Sequence, residues 1–233
     1  MTRLLLLSNS TNFGAGYLDH AMGPIIEFLA GVRRIAFVPF ALQDHAKYTA
    51  KARARFANEG VALEAATPDA EGRSLLTSAD AVFVGGGNTF RLLAALQRSG
   101  LLPILRARAQ AGMPYLGASA GTNIAAPTLK TTNDMPILEP PSFEALGLIP
   151  FQINPHYVEP NPGSRHMGET RDDRLREYLE ENQAPVLGLR EGAWLLRDGP
   201  KLTLHGPAGA RLFQRNVAPR EIGPGTSLDD LLA

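Results

Sequence analysis

The sequence has no cysteine. That excludes disulfides, thiolate nucleophiles and Cys-ligated zinc together. It has no charge imbalance either: 23 Lys plus Arg stand against 23 Asp plus Glu, for a formal net charge of zero. With no basic stripe, nucleic acid is not an expected partner. Long apolar runs are missing too. The leucines from Leu4 to Leu7 are too short for a signal-peptide core, and no run approaches the ~18 residues of a membrane span. No membrane partner is expected, and the cytoplasm is the expected compartment. Repeats, low-complexity tracts and linkers are also absent. The 233 residues, 44% hydrophobic and 20% charged, therefore read as a single domain over 1–233.

What is present alternates. Buried strands are expected at Arg3 to Ser8, Arg34 to Phe40, Val61 to Ala66 (nearer an edge), Asp80 to Val84 and Pro114 to Leu116. Between them, helices are expected over Tyr17 to Leu29, His45 to Glu59, Phe90 to Gln97 and Leu101 to Ala111. Alternating strands and helices imply an α/β fold with a mostly parallel sheet covered on both faces. The second half is less regular. A loop runs from Pro127 to Pro141, and an apolar strand from Leu148 to Asn154 leads into Pro155-His156. After the loop Asn161 to Ser164 come a polar helix over Thr170 to Asn182, a strand over Pro185 to Leu189, a hairpin over Ala193 to Leu204 and a further strand over Arg211 to Gln214.

Gly117-Ala118-Ser119-Ala120-Gly121 is a Gly-x-Ser-x-Gly pentapeptide between an apolar strand and a segment able to open a helix. A serine at such a sharp turn has its hydroxyl pushed out of the sheet. The next N–H, on Ala120, can then face a developing oxyanion. The plain alternative is a tight turn that merely needs glycine. A serine nucleophile needs a base, and the base needs an orienting group. His156, directly after an apolar strand, and His45, heading a helix, are the candidate bases. His20 reads as a solvated residue of an amphipathic helix, His166 as a loop residue and His205 as part of the hairpin. Glu191, after the strand Pro185 to Leu189, and Asp134, in the loop after the serine, are both candidate acids. The loop Gly85-Gly86-Gly87-Asn88 lacks the Lys-Ser/Thr of a Walker motif and the spacing of a dinucleotide fingerprint. Its Gly87 can instead supply a second oxyanion N–H.

Taken in order, several stretches resemble one family. They are Leu4 to Thr11, Val84 to Phe90, Ser119 to Gly121, Thr131 to Pro136 (Thr-Thr-Asn-Asp-Met-Pro), Gln152 to His156, Gly168 to Arg171 and Glu191 to Trp194. Together they resemble the peptidase E family, the aspartyl dipeptidases of the S51 serine peptidases. One departure is Ala118, where enterobacterial members are expected to carry tryptophan. The resemblance implies a flavodoxin-like three-layer sandwich close to class I glutamine amidotransferases. It implies Ser119 as nucleophile, His156 as base, Glu191 as orienter, Asp-X dipeptides as substrate, no metal or cofactor, and a homodimer. The alternatives are a cyanophycinase-like peptidase, which tends to be longer, and a non-catalytic small-molecule binding module.

An aspartate pocket needs a fixed cation, because a buried unpaired carboxylate is costly. Arginine suits this best. Arg174 and Arg176 are expected on a solvated helix face, and Arg165 has no placement argument. Arg190 should face away from Glu191, since successive strand side chains alternate. Arg171 heads a helix, where a cation opposes the dipole. A residue placed against local preference is the better functional candidate. Asn88 and Asp134 are expected beside it as substrate-binding residues.

Overall fold

A computed structural model describes residues 1–160, 163 and 168–233 of the chain. Asn161, Pro162 and Ser164 of the expected loop, and the candidates Arg165 and His166, lie outside the described residues.

The central sheet has seven strands. Five are parallel: β1 (Arg3–Leu7), β2 (Arg34–Val38), β3 (Ala62–Ala65), β4 (Ala81–Val84) and β5 (Tyr115–Ala118). β8 (Trp194–Asp198) pairs antiparallel with β1, and β9 (Lys201–His205) with β8, giving the order β3-β2-β4-β5-β1-β8-β9. Successive strand side chains point to opposite faces, so the leucine run feeds two cores. Leu4 and Leu6 join one buried cluster, and Leu5 and Leu7 the other. The second cluster is closed by α1 (Met22–Phe28) and α2 (His45–Ala57). The first is closed by α3 (Ala70–Ser78), α4 (Thr89–Arg98), α5 (Leu101–Gln110) and a further sheet. The expected α/β fold with a mostly parallel sheet and helices on both faces is what forms. No helix among the described residues is long and apolar enough to cross a membrane.

The second sheet is the main addition. It contains β6 (Gln152–Tyr157), β7 (Val186–Arg190), β10 (Ala210–Gln214) and β11 (Val217–Ile222), in the order β11-β10-β7-β6. It packs Ile153, Leu187, Leu189 and Leu212 into the first cluster. The helix between β6 and β7, α7 (Arg171–Glu181), packs Leu175 and Leu179 against Tyr157 and Phe213 in a smaller cluster.

Two local expectations change, and two elements are additions. The helix over Tyr17 to Leu29 begins only at Met22, after a 3-10 turn over Asp19–Ala21. Pro24 explains the late start. It lacks an N–H and is tolerated only in a first turn, where that donor has no helical partner. His20 is consequently not solvated. Both its ring nitrogens are buried without a described partner, and burial lowers its pKa. Neither α3 nor β11 was read from the sequence. α3 has few apolar residues, and its signal was the cap: Asp69 accepts from the N–H groups of Glu71 and Gly72. β11 is an edge strand, exposed along most of its length and carrying Pro219, so no alternation marks it.

Candidate active site

Ser119 stands between β5 and the short helix α6 (Ala120–Asn123), with φ 53° and ψ −108°. A non-glycine residue rarely occupies positive φ, and such outliers cluster at functional sites. The surroundings hold it there. The Ser119 N–H donates to Leu7 O at 3.1 Å, and the Tyr115 hydroxyl donates to Gly121 O at 2.6 Å. The Thr122 hydroxyl lies 2.6 Å from Leu7 O and 2.9 Å from Gly117 O. A Cβ on Gly121 would sit 2.1 Å from Val84 O, and one on Gly117 2.7 Å from Gly121 O. The two glycines therefore serve the close packing of a strained elbow, which a simple tight turn would not require.

His156 belongs to β6, as its penultimate residue, and does not follow the strand as the sequence suggested. Its φ is 53°, and the pairing of β6 with β7 shifts register across it, between Pro155 and Tyr157. That bulge turns the imidazole toward the elbow. Nε2 is 2.8 Å from Ser119 Oγ, and Nδ1 is 2.6 Å from Glu191 Oε1. Glu191 follows β7 directly. The rival base His45 heads α2 and packs at a tilt against Phe40, with ring centroids 5.4 Å apart and planes at 47°. His205 stacks on Trp194.

The rival acid is engaged elsewhere. Asp134 Oδ2 accepts both the N–H and the hydroxyl of Thr89, each at 2.6 Å, at the start of α4. No described group bonds to its Oδ1. Asn88 caps α4 by accepting the Arg91 N–H at 3.0 Å, and its amide donates to Met135 O at 2.9 Å. Its side chain therefore ties the glycine loop to the segment bearing Asp134.

Gly87 has φ 134°, and a Cβ there would meet Ala41 O at 2.6 Å. Its N–H has no partner among the described residues, whereas the Gly86 N–H donates to the Tyr48 hydroxyl at 2.8 Å. Ala120 is the first residue of α6, so its N–H lacks a helical acceptor. Two unengaged N–H groups thus flank Ser119.

Arg171 opens α7 and is half-buried. Its Nη1 donates to Asn133 Oδ1. Burial lowers its pKa most, Arg174 adds to that, and Asp134 opposes it. Even so, a guanidinium stays charged. Its neighbours are paired: Arg174 with Glu169, Arg176 with Asp172 and Asp173, and Arg190 with Glu159 and Glu221. Among the described residues Arg171 is in no ion pair. Asp172, beside it, points inward to accept the Tyr157 hydroxyl at 2.5 Å.

Sequence reasoning missed the residues that brace this chain. Ser8 receives the His156 N–H at 2.9 Å and donates to Leu189 O at 2.8 Å. Asn9 receives the Gly192 N–H at 2.9 Å, fixing the turn that carries Glu191. Asn133 donates to Pro155 O at 2.7 Å and accepts from Asn154 at the same distance. For Ser8 and Asn9 the available signal was a pair of polar residues directly after a buried strand, where an unmade hydrogen bond would be costly.

A cleft of about 910 Å³ opens over the elbow, lined by Gly86, Gly87, Ser119, Asp134 and His156 at one end and by α2 at the other. The profile of peptidase family S51 matches residues 4–205. The chain belongs to peptidase family S51. It is 58% identical over 229 residues to peptidase E of Streptomyces coelicolor, covering 98% of this chain and 94% of that one. It is 48% identical over 232 residues to a probable alpha-aspartyl dipeptidase of Drosophila melanogaster, covering 98% and 97%. Among solved structures it resembles a peptidase from an acI-B1 actinobacterium, with a TM-score of 0.73 and 17% identity over 98% of this chain and 96% of that one. A putative peptidase E of Listeria monocytogenes gives 0.66 and 22%, over 88% and 98%. As an S51 member the chain is a peptidase.

Proposed function

We propose that this S51 peptidase is a serine exopeptidase that releases N-terminal aspartate from Asp-X dipeptides, acting as one domain over residues 1–233. The observation that carries it is the hydrogen-bonded chain Ser119–His156–Glu191, at 2.8 and 2.6 Å, at a strained elbow. The relatives named peptidase E and alpha-aspartyl dipeptidase support the substrate class. A non-catalytic binding module would have no use for such an arrangement.

Ser119 Oγ attacks the carbonyl carbon of the aspartyl residue while His156 Nε2 takes its proton. Glu191 accepts the Nδ1–H, which leaves Nε2 free as acceptor and stabilises the imidazolium. The N–H groups of Ala120 and Gly87 receive the oxyanion. His156 then gives the proton to the leaving amine, and the C–N bond breaks to leave an ester on Ser119. Water, deprotonated by His156, hydrolyses that ester and restores the serine. Arg171 holds the aspartate side chain. Asp134, with Oδ1 free, faces the α-ammonium that only an N-terminal residue carries. Asn88 acts indirectly, by holding the glycine loop.

Matched Asp-Leu, Asn-Leu, Glu-Leu and Ala-Leu, read for amino-acid release, test the reading. Asp-Leu should be the best substrate by far. Equal turnover of Ala-Leu would overturn it. The same assay addresses Arg171. Losing one partner of a desolvated charge pair costs roughly 2–5 kcal/mol, some 30- to 5,000-fold in rate. Arg171→Met should lower kcat/KM on Asp-Leu by that order and narrow the gap to Asn-Leu. An unchanged Asp-Leu to Asn-Leu ratio rules out Arg171 as the aspartate reader.

A further inference from the structure

The cleft continues past Ser119 to a wall built by α2, where Lys47 and Lys51 stand four residues apart and share one face of the helix. Both are exposed, and neither forms an ion pair among the described residues. The site described so far makes no use of them.

Lys51 is held in place. Its Nζ lies 4.5 Å from the centroid of the Tyr17 ring, a cation–π distance. Tyr17 packs edge-on against Tyr48, with centroids 6.3 Å apart and planes at 71°. The Tyr48 hydroxyl in turn receives the Gly86 N–H, next to the unengaged N–H of Gly87. Both tyrosine rings are buried. A buried aromatic strut therefore connects the glycine loop beside the reaction centre to the Lys51 ammonium.

The two halves of a peptide diverge from the scissile carbonyl. The aspartyl half is drawn toward Arg171 and Asn133, so the leaving residue extends the other way, along the cleft toward α2. In a dipeptide that residue ends in a free carboxylate. In a longer peptide the same place holds a neutral amide. We infer that Lys51, assisted by Lys47, binds the free α-carboxylate of the leaving residue and so restricts the enzyme to dipeptides. Asp44 and Asp134, the acidic residues lining the same cleft, bear on this charge balance. The first is engaged in capping α2 through the Lys47 N–H at 2.8 Å, and the second in binding Thr89.

This inference rests on the Asp-X reading, and the experiment separates the two. Asp-Leu and Asp-Leu-amide differ only in the group that Lys51 would meet. Wild-type enzyme should favour the free acid. Lys51→Met, which keeps an unbranched side chain and removes the charge, should lower the Asp-Leu to Asp-Leu-amide ratio of kcat/KM about tenfold, the order expected for an exposed charged hydrogen bond. Lys51→Arg should preserve the ratio. Lys47→Met should lower it less. If wild type cleaves both compounds and Lys51→Met leaves their ratio unchanged, the carboxylate role is wrong while the aspartate reading stands. If wild type cleaves neither, the aspartate reading fails and this inference with it.

Discussion

Replacing Ser119 with alanine is expected to lower kcat on Asp-Leu by about 10⁴- to 10⁶-fold, the loss seen when a nucleophile that acts as a unit with its base is removed. The fold should survive. The Ser119 hydroxyl has His156 Nε2 as its one described hydrogen-bond partner. The bonds that pin the elbow belong instead to the Ser119 N–H, Tyr115 and Thr122. A matched thermal melt beside the rate measurement separates inactivation from unfolding. An alanine variant that folds and keeps more than a few percent of the activity removes Ser119 from the chemistry.

Glu191→Gln carries the second large effect. A glutamine at this position presents an N–H to His156 Nδ1, so the neutral ring places its proton on Nε2. It can then no longer accept from Ser119. In serine proteases of another fold the equivalent amide substitution costs about 10⁴ in kcat. Here the Glu191 side chain is 53% exposed, and water can partly replace it, so a loss of about 10²- to 10⁴-fold is expected. Asp134→Asn should behave differently. Its carboxylate meets Thr89 rather than His156, so the change should appear mainly as a raised KM through the substrate's ammonium. If Asp134→Asn collapses kcat while Glu191→Gln spares it, the two acids have exchanged roles.

How much of this was legible in the sequence depended on how local the cause is. The elbow was legible because its demands are local: small residues at Gly117 and Gly121 let a serine stand at the end of a strand. The choice between His156 and His45, and between Glu191 and Asp134, was not readable from the residues alone. It depends on a bulge in β6 and on Asp134 turning to Thr89, both of which are tertiary events; the family resemblance supplied the selection. The second sheet was hidden for a related reason. Its strands look like those of the first, and only pairing partners far along the chain distinguish them. His20 was misread because an apolar helical spacing was followed through Pro24, which moves the helix start and leaves His20 in the preceding turn, half-buried with both ring nitrogens covered.

The braces around the site join opposite ends of the chain. Ser8 is bonded to His156 and Leu189, and Asn9 to Gly192, across separations of 148, 181 and 183 residues. During synthesis at about 5–20 residues per second, the elbow emerges seconds before its acid does. For that interval β1 has β5 on one side and an unpaired edge on the other, because β8 has yet to be made. An open edge of consecutive leucines is a template for pairing with another chain. A nascent or truncated chain ending before Glu191 thus lacks the proposed acid and also leaves the β1 edge open to aggregation. The strand that closes the edge follows directly on the turn that carries Glu191, so protection from self-association arrives with the last member of the proposed triad.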